Sequence, residues 1–305
     1  MARTTKKSSA SRLNHPFRGT GVAIVTPFAN DGSIVFPALA KIVNHIIAGK
    51  CEFLVVMGTT GEAPALYDDE KVEVLQFVLE TVKGRVPVVF GIGGNNTAEV
   101  IHKLETTNLL GVSGILSVAP YYNKPNQNGL YEHFRVIAEA SPLPVLIYNV
   151  PSRTGMNMTA ETQLRLAHDC PRIVGTKEAS GNLEQIMMIL RDRPADFLVL
   201  SGDDLLTLPI LACGADGVIS VVANAYPKQF SDMVRAGLAG DFAKARPLHE
   251  SLIHFTQLCF ADGNPGGIKV ALEAMKLCKA NLRAPLYPVN DNVREALVKE
   301  VKKLK

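Results

Sequence analysis

A lysine breaks an otherwise apolar, β-branched run in Ile173-Val174-Gly175-Thr176-Lys177-Glu178-Ala179. Enclosing an ammonium group costs hydration, and the cost favours the neutral amine. A free lysine, with a pKa of about 10.4, is neutral about one part in a thousand at pH 7.4. Deprotonating it before attack costs roughly 4 kcal/mol, much of which enclosure can remove. An enclosed strand lysine is therefore a natural nucleophile toward a ketone, forming an imine. A second reading stays open on this segment alone, with Lys177 paired to Glu178 or reaching outward to solvent.

Other segments offer complementary chemistry. Gly58-Thr59-Thr60-Gly61-Glu62 joins two glycines, two hydroxyls and free backbone amides, a set that can hold a carboxylate or form a plain polar turn. Tyr121 and Tyr122 are adjacent phenols in Ala119–Pro125, able to relay protons or to pack at an interface. Tyr148 closes an apolar run and must face either a site or the core. Arg153 follows it in Pro151-Ser152-Arg153-Thr154-Gly155, where a guanidinium can grip a carboxylate with two parallel bonds or remain a surface charge. Gly217-Val218-Ile219-Ser220 can place an apolar wall or a backbone amide beside a small ligand. Of Asp203 and Asp204, at least one reads as a helix cap.

These segments share a position in a repeating unit. Short β-branched runs begin near Val22, Phe53, Val86, Gly114, Pro144, Ile173, Phe197 and Gly217, each followed by a helical stretch. Asp68-Asp69-Glu70 marks one helix start and Gly84 its stop, and Thr97 and Thr159 mark two others. Near-continuous apolar runs such as Val145–Tyr148 suit strands buried on both faces. Eight such units fit a (β/α)8 barrel of roughly 220 residues, with chemistry at the C-terminal ends of its strands. A doubly wound sheet is the weaker alternative, since Gly21–Gly32 offers no nucleotide fingerprint. The expected organisation is a disordered basic tail over 1–18, a catalytic barrel over 19–225 and a small helical C-terminal domain over 226–305.

Composition excludes several classes. The chain has 305 residues, 47% of them apolar, and no apolar run long enough for a membrane span. Its net charge of +3 arises from five bases in residues 1–18, leaving 27 bases against 29 acids beyond them. A basic tail of this kind can be a transit peptide or a polyanion contact, but a disordered extension is the expectation. The near-neutral remainder gives no reason to expect a nucleic-acid partner. Five cysteines without a Cys-x-x-Cys pair, and seven histidines without a His-x-x-x-His pair, give no support for a disulfide framework or a metal site. A reducing cytoplasm is the default compartment.

In order along the chain, Gly58–Glu62, Pro120-Tyr121-Tyr122-Asn123-Lys124-Pro125, Tyr148–Gly155 and Gly175-Thr176-Lys177-Glu178-Ala179 resemble the dihydrodipicolinate synthase / N-acetylneuraminate lyase family of Schiff-base aldolases. The resemblance runs from about Gly19 to about Val289. The Ser152-Arg153 pair and the two threonines resemble the branch that condenses pyruvate with L-aspartate-4-semialdehyde, the first committed step of diaminopimelate and lysine synthesis. It implies Lys177 as the imine-forming residue, with Tyr148, Thr59 and Tyr122 as the proton relay. It implies pyruvate held by Thr60 and Ile219, and the carboxylate of the semialdehyde held by Arg153. It also implies a homo-oligomer, a tetramer built as a dimer of dimers, with Tyr122 reaching into the neighbouring subunit's site. No metal or organic cofactor is implied, because the lysine imine is itself the electron sink.

At the feedback site of lysine-sensitive relatives, Asn95, Glu99 and Tyr121 match, whereas Ala63, Pro64, Asp68 and Lys71 depart. Weak or absent inhibition by lysine is the expectation. Two other functions compete with the synthase reading: a pyruvate-dependent aldolase acting on a sugar acid, and a non-catalytic metabolite-binding regulator on the same barrel.

Overall fold

The computed structural model describes residues 12–304. Eight parallel strands close into one barrel in chain order: β1 (Gly19–Ala23), β2 (Phe53–Val56), β3 (Val88–Gly91), β4 (Gly114–Val118), β5 (Val145–Asn149), β6 (Ile173–Glu178), β7 (Leu198–Ser201) and β8 (Gly217–Ser220). Pairing of Gly19 with Gly217 through Val22 with Ser220 shuts the ring. One main helix follows each strand. They are α1 (Phe36–Ala48), α2 (Asp68–Val82), α3 (Thr97–Thr106), α4 (Gln127–Ala140), α5 (Ala160–Asp169), α6 (Leu183–Asp192), α7 (Thr207–Ala212) and α8 (Pro227–Leu238). Three further helices complete the chain: α9 (Phe242–Phe260), α10 (Gly266–Ala274) and α11 (Asp291–Lys303). This is the expected (β/α)8 barrel with C-terminal helices.

Local chemistry sets the boundaries. Strands β3 and β5 start just after Pro87 and Pro144, which have no N–H to give a ladder. Asn96, Asn126, Thr159 and Asn182 accept a backbone N–H at the starts of α3, α4, α5 and α6. Helix α2 begins at Asp68, with the Tyr67 N–H donating to Glu70 Oε2 at 2.9 Å. It ends where Lys83 and Gly84 turn left-handed, at φ 52° and 70°.

Alternation along each strand divides the core. Leu54, Val56, Ile115, Ile147 and Val199 face the helices, while Phe53, Val55, Leu116, Leu146 and Leu198 fill the barrel. Burial of each such side chain contributes about 1.5–3 kcal/mol. Gly21 has no space for a side chain, since a Cβ there would lie 2.2 Å from the Phe53 ring.

Two expected boundaries are corrected. The basic tail does not extend to residue 18, because Phe17 is 1% exposed and its ring lies 5.6 Å from that of Phe53. Phe17 plugs the N-terminal end of the barrel, and Arg12 Nε pairs with Asp216 Oδ1 at 3.2 Å. Residues 1–11 of the expected tail lie outside the described residues. The barrel also does not stop at 225. Helix α8 takes the eighth place in the ring: Ser231 Oγ donates to Gly49 O at 2.7 Å and Arg235 Nη1 to Lys50 O at 2.7 Å. The helices beyond the eightfold ring are therefore α9 to α11.

Candidate active site

Register places the two central groups. On β5 and β6, Tyr148 pairs with Lys177 and Asn149 with Glu178. Alternation turns Tyr148 and Lys177 into the barrel and Asn149 and Glu178 toward the helices. Lys177 is 5% exposed, and its Nζ lies 4.1 Å from the centroid of the Tyr148 ring.

Glu178 is not the partner of that amine. Its buried carboxylate accepts from Gln163 Nε2 at 2.7 Å, Ser180 N at 2.9 Å, Asn149 Nδ2 at 3.1 Å and Gln185 Nε2 at 3.3 Å. Amide donors satisfy it from behind the sheet. They also tie the ends of β5 and β6 to α5 and α6, which fixes the register that sets Lys177 against Tyr148.

The loop after β2 carries the threonines. Thr59–Gly61 forms one tight turn, and Glu62 follows in the left-handed region at φ 58°. Thr26 Oγ1 donates to Gly61 O at 2.7 Å, and Thr60 is buried. Glu62 anchors this loop rather than binding a ligand. It forms a fully buried ion pair with Lys269 of α10 and accepts the Arg283 N–H at 3.0 Å. Lys269 also donates to Asn281 O at 2.8 Å, and burial pulls its pKa below the usual lysine range. Removing one partner of such a pair costs about 3–5 kcal/mol, because the other charge is left buried and unpaired. The C-terminal helices thus hold the threonine loop in place.

Arg153 lies on a single helical turn, Pro151–Thr154, directly after β5. It is exposed, and its Nη2 donates to Asn264 O at 3.5 Å. Asn264 Nδ2 in turn donates to Thr60 Oγ1 at 3.1 Å. The connection between α9 and α10 therefore bridges Thr60 and Arg153.

Ile219 is buried on β8 and belongs to the same interior cluster as Tyr148. The end of its strand is pinned by Asp204, whose Oδ1 accepts from Ser220 Oγ at 2.5 Å and whose Oδ2 accepts from Val221 N at 3.0 Å. Burial pushes the Asp204 carboxyl up to about 6. Asp203 is not the cap of α7, whose N-cap position is Leu206; it closes the turn ahead of that helix, accepting from Leu205 N at 2.9 Å and Leu206 N at 3.1 Å.

A cleft of about 1060 Å³ opens at this end of the barrel, lined by Thr59, Tyr121 and Tyr148. Residues 16–304 match a family described as the Dihydrodipicolinate synthetase family. The chain belongs to this family. It is 48% identical over 284 residues to a 4-hydroxy-tetrahydrodipicolinate synthase of Parabacteroides distasonis, covering 92% of this chain and 96% of that one. The crystal structure of a dihydrodipicolinate synthase from Thermotoga maritima superposes with a TM-score of 0.93 at 38% identity, covering 95% of this chain and 99% of the other. A structure described as a monomeric dihydrodipicolinate synthase variant superposes with a TM-score of 0.92 at 38% identity, over 95% and 97% of the two chains.

Of the residues singled out by sequence, the fold gathers Thr59, Thr60, Tyr148, Arg153, Lys177 and Ile219 at one end of the barrel. Tyr122 stands apart, 90% exposed with φ 69°, while Tyr121 lines the cleft. Asn264 was not singled out, since Asp262-Gly263-Asn264-Pro265-Gly266 reads only as a turn between helices. Farther along the cleft, Lys71 Nζ sits 2.8 Å from Asp68, and Lys103 Nζ lies 3.3 Å from Asp68 and 2.7 Å from Glu99. The Lys71 ammonium holds the Asp68 carboxyl below its usual range.

Proposed function

We propose that the chain condenses pyruvate with L-aspartate-4-semialdehyde to give 4-hydroxy-tetrahydrodipicolinate through an imine on Lys177. The observation that carries this reading is the Lys177 amine held over the Tyr148 ring inside the barrel mouth. Lys177 Nζ attacks the ketone carbon of pyruvate, and loss of water leaves a protonated imine. Removal of a methyl proton then gives an enamine. Its terminal carbon attacks the aldehyde, forming the new C–C bond, and the resulting alkoxide takes up a proton. The amine of the second substrate attacks the imine carbon, closes the six-membered ring and releases Lys177 as a free amine.

The other residues are read in roles that their placement supports. Tyr148 moves protons to and from the reacting carbon, with Thr59 and Tyr122 completing a hydroxyl relay. Thr60 and Ile219 hold pyruvate, largely through backbone groups. Arg153 at the mouth takes the carboxylate of the semialdehyde. The exposure of Tyr122 in a single chain fits a phenol that enters the site of a second copy, so we read the enzyme as a homo-oligomer, a tetramer of paired dimers. The reaction calls for no metal or organic cofactor, since the imine supplies the electron sink. The five free cysteines suit a reducing compartment, and the reading is of a cytoplasmic enzyme.

A coupled assay on the purified protein tests the substrate assignment. Turnover is expected with pyruvate and L-aspartate-4-semialdehyde together. Turnover of a sugar acid, with none of the semialdehyde, would replace this reading by that of a related aldolase.

A further inference from the structure

A second cavity, of about 760 Å³, opens between the connection from β1 to α1 and the turn that follows α10. Its two walls are tied together, with Asn281 Nδ2 donating to Phe28 O at 3.0 Å and to Asn30 Oδ1 at 3.1 Å. The turn is fixed as well. Lys276 takes the left-handed conformation at φ 62°, its N–H donating to Glu273 O and that of Leu277 to Leu272 O, both at 2.9 Å. Glycine is the usual occupant of such a position. Half-buried Val35, Ala38 and Leu277 give the cavity an apolar side. Exposed Lys41, Lys276 and Lys279 stand on its rim, and none pairs with a carboxylate among the described residues. The two acids beside them are already engaged. Asp31 accepts from Ser33 N at 2.9 Å and Ser33 Oγ at 2.7 Å. Glu273 pairs with Arg294 and accepts from Ala280 N at 3.1 Å.

We propose that this cavity binds a small, singly charged carboxylate with an apolar body, and that its occupant acts on the threonine loop. A preformed cavity of this size, apolar on one side and carrying a few placed charges, has the make-up of a small-molecule site. The uncompensated charges are positive, so the ligand is an anion. A dianion would face Asp31 and Glu273 at the rim, and a wholly polar anion would leave the apolar side in water. The link to the catalytic end is one residue thick. Phe28 lines the cavity, and its ring packs 4.3 Å from Lys269 Nζ and 4.6 Å from Arg283 Cζ. Both of those residues hold Glu62, which directly follows Thr59–Gly61. An occupant that braces Phe28 favours the arrangement in which Glu62 anchors the loop. The action on the loop rests on the reading that Thr60 holds pyruvate, whereas the binding does not.

Isothermal titration calorimetry with 3-phenylpropanoate, in saturating pyruvate to keep the barrel mouth filled, tests the binding. One probe per chain is expected, with a Kd of about 1 mM or tighter. The uncharged 3-phenylpropanamide should bind roughly tenfold more weakly, as should the carboxylate on a chain carrying both Lys276→Gln and Lys279→Gln. Ala38→Phe fills the cavity and should abolish binding, and Val35→Phe serves if that variant does not fold. No binding to the unaltered chain, equal binding of the amide, or binding that survives the filled cavity would overturn the site. The action on the loop is read from pyruvate affinity, measured by the same method. Saturating probe should lower the apparent Kd for pyruvate at least twofold in the unaltered chain and leave it unchanged in Ala38→Phe. An unchanged or weaker affinity in the unaltered chain would overturn that action. If the unaltered chain binds no pyruvate at all, the catalytic reading fails and the action on the loop falls with it, while the probe titration still decides the site.

Discussion

Lys177 and Tyr148 face one another because they are register partners on adjacent strands, and the amine lies 4.1 Å from the centre of the phenol ring. Their strand neighbours Glu178 and Asn149 form the matching pair on the outer face, at 3.1 Å. One strand pairing therefore produces both the Lys177–Tyr148 contact and the polar lock behind it. The proposed nucleophile Lys177 and its proposed proton-transfer partner Tyr148 sit on barrel strands, while Arg153 and Tyr122 lie on the connections that follow β5 and β4.

Arg153 offers the most direct test of the second substrate. Arg153→Ala is expected to raise KM for L-aspartate-4-semialdehyde by roughly 10–100-fold, the range for a lost charge-assisted bond. KM for pyruvate should change far less. Steady-state kinetics with each substrate varied in turn checks this, and an unchanged KM for the semialdehyde would remove Arg153 from the site.

Tyr122 tests assembly. If its phenol works in the site of a second copy, Tyr122→Ala and Lys177→Arg should each be nearly inactive alone. Mixing them under conditions that let subunits exchange should restore activity, up to about a quarter of the unaltered level for random dimers. Each mixed dimer then holds one site with its own Lys177 and a partner's phenol. Failure to complement, in a mixture shown by mass spectrometry to contain mixed oligomers, would place the relay within one chain.

The cleft beyond Thr59 bears on regulation. Glu99 and Asp68 are already held by Lys103 and Lys71, so a free lysine entering here must displace an internal ammonium. Inhibition by lysine is expected to be weak or absent. A dose curve in the coupled assay checks it, and strong inhibition at sub-millimolar lysine would contradict it.

Asp204 makes stability depend on pH. Its carboxyl titrates near 6 when folded, against 3.8 in the unfolded reference. Between those values the folded chain holds a proton that the unfolded chain has released, so this group's contribution falls as pH rises. The contribution is fully present below about pH 4 and is lost by about pH 6, a change of roughly 3 kcal/mol. Asp204→Asn should flatten the slope in that window, as measured by urea unfolding at a series of pH values. An unchanged slope would mean that Asp204 is ionised throughout.

The legible parts of this fold are those with a short-range signature. Runs such as Val145–Tyr148 announce strands, and Lys177 stands out because a charge interrupts one of them. Phe17 was not legible, since one aromatic among Ser, Thr, Lys and Arg has no periodic neighbours, and only barrel closure gives it a place beside Phe53. Helix α8 carries the same periodicity whether it rings the barrel or stands apart, and its contacts with Gly49 and Lys50 decide the matter. Asn264 was hidden for a related reason: it meets Thr60 across 204 residues of chain, and nothing around it in sequence signals that partner. Tyr122 was singled out for its neighbour and its loop, yet a single chain leaves it in solvent.

Trapping of the imine tests the central claim most directly. The purified chain is incubated with pyruvate and sodium borohydride, digested and read by mass spectrometry. The expected result is a reduced pyruvate adduct on Lys177, absent in Lys177→Ala, whose turnover is also lost. A chain that turns over substrate with no adduct on Lys177, or a Lys177→Ala variant that stays active, would contradict it.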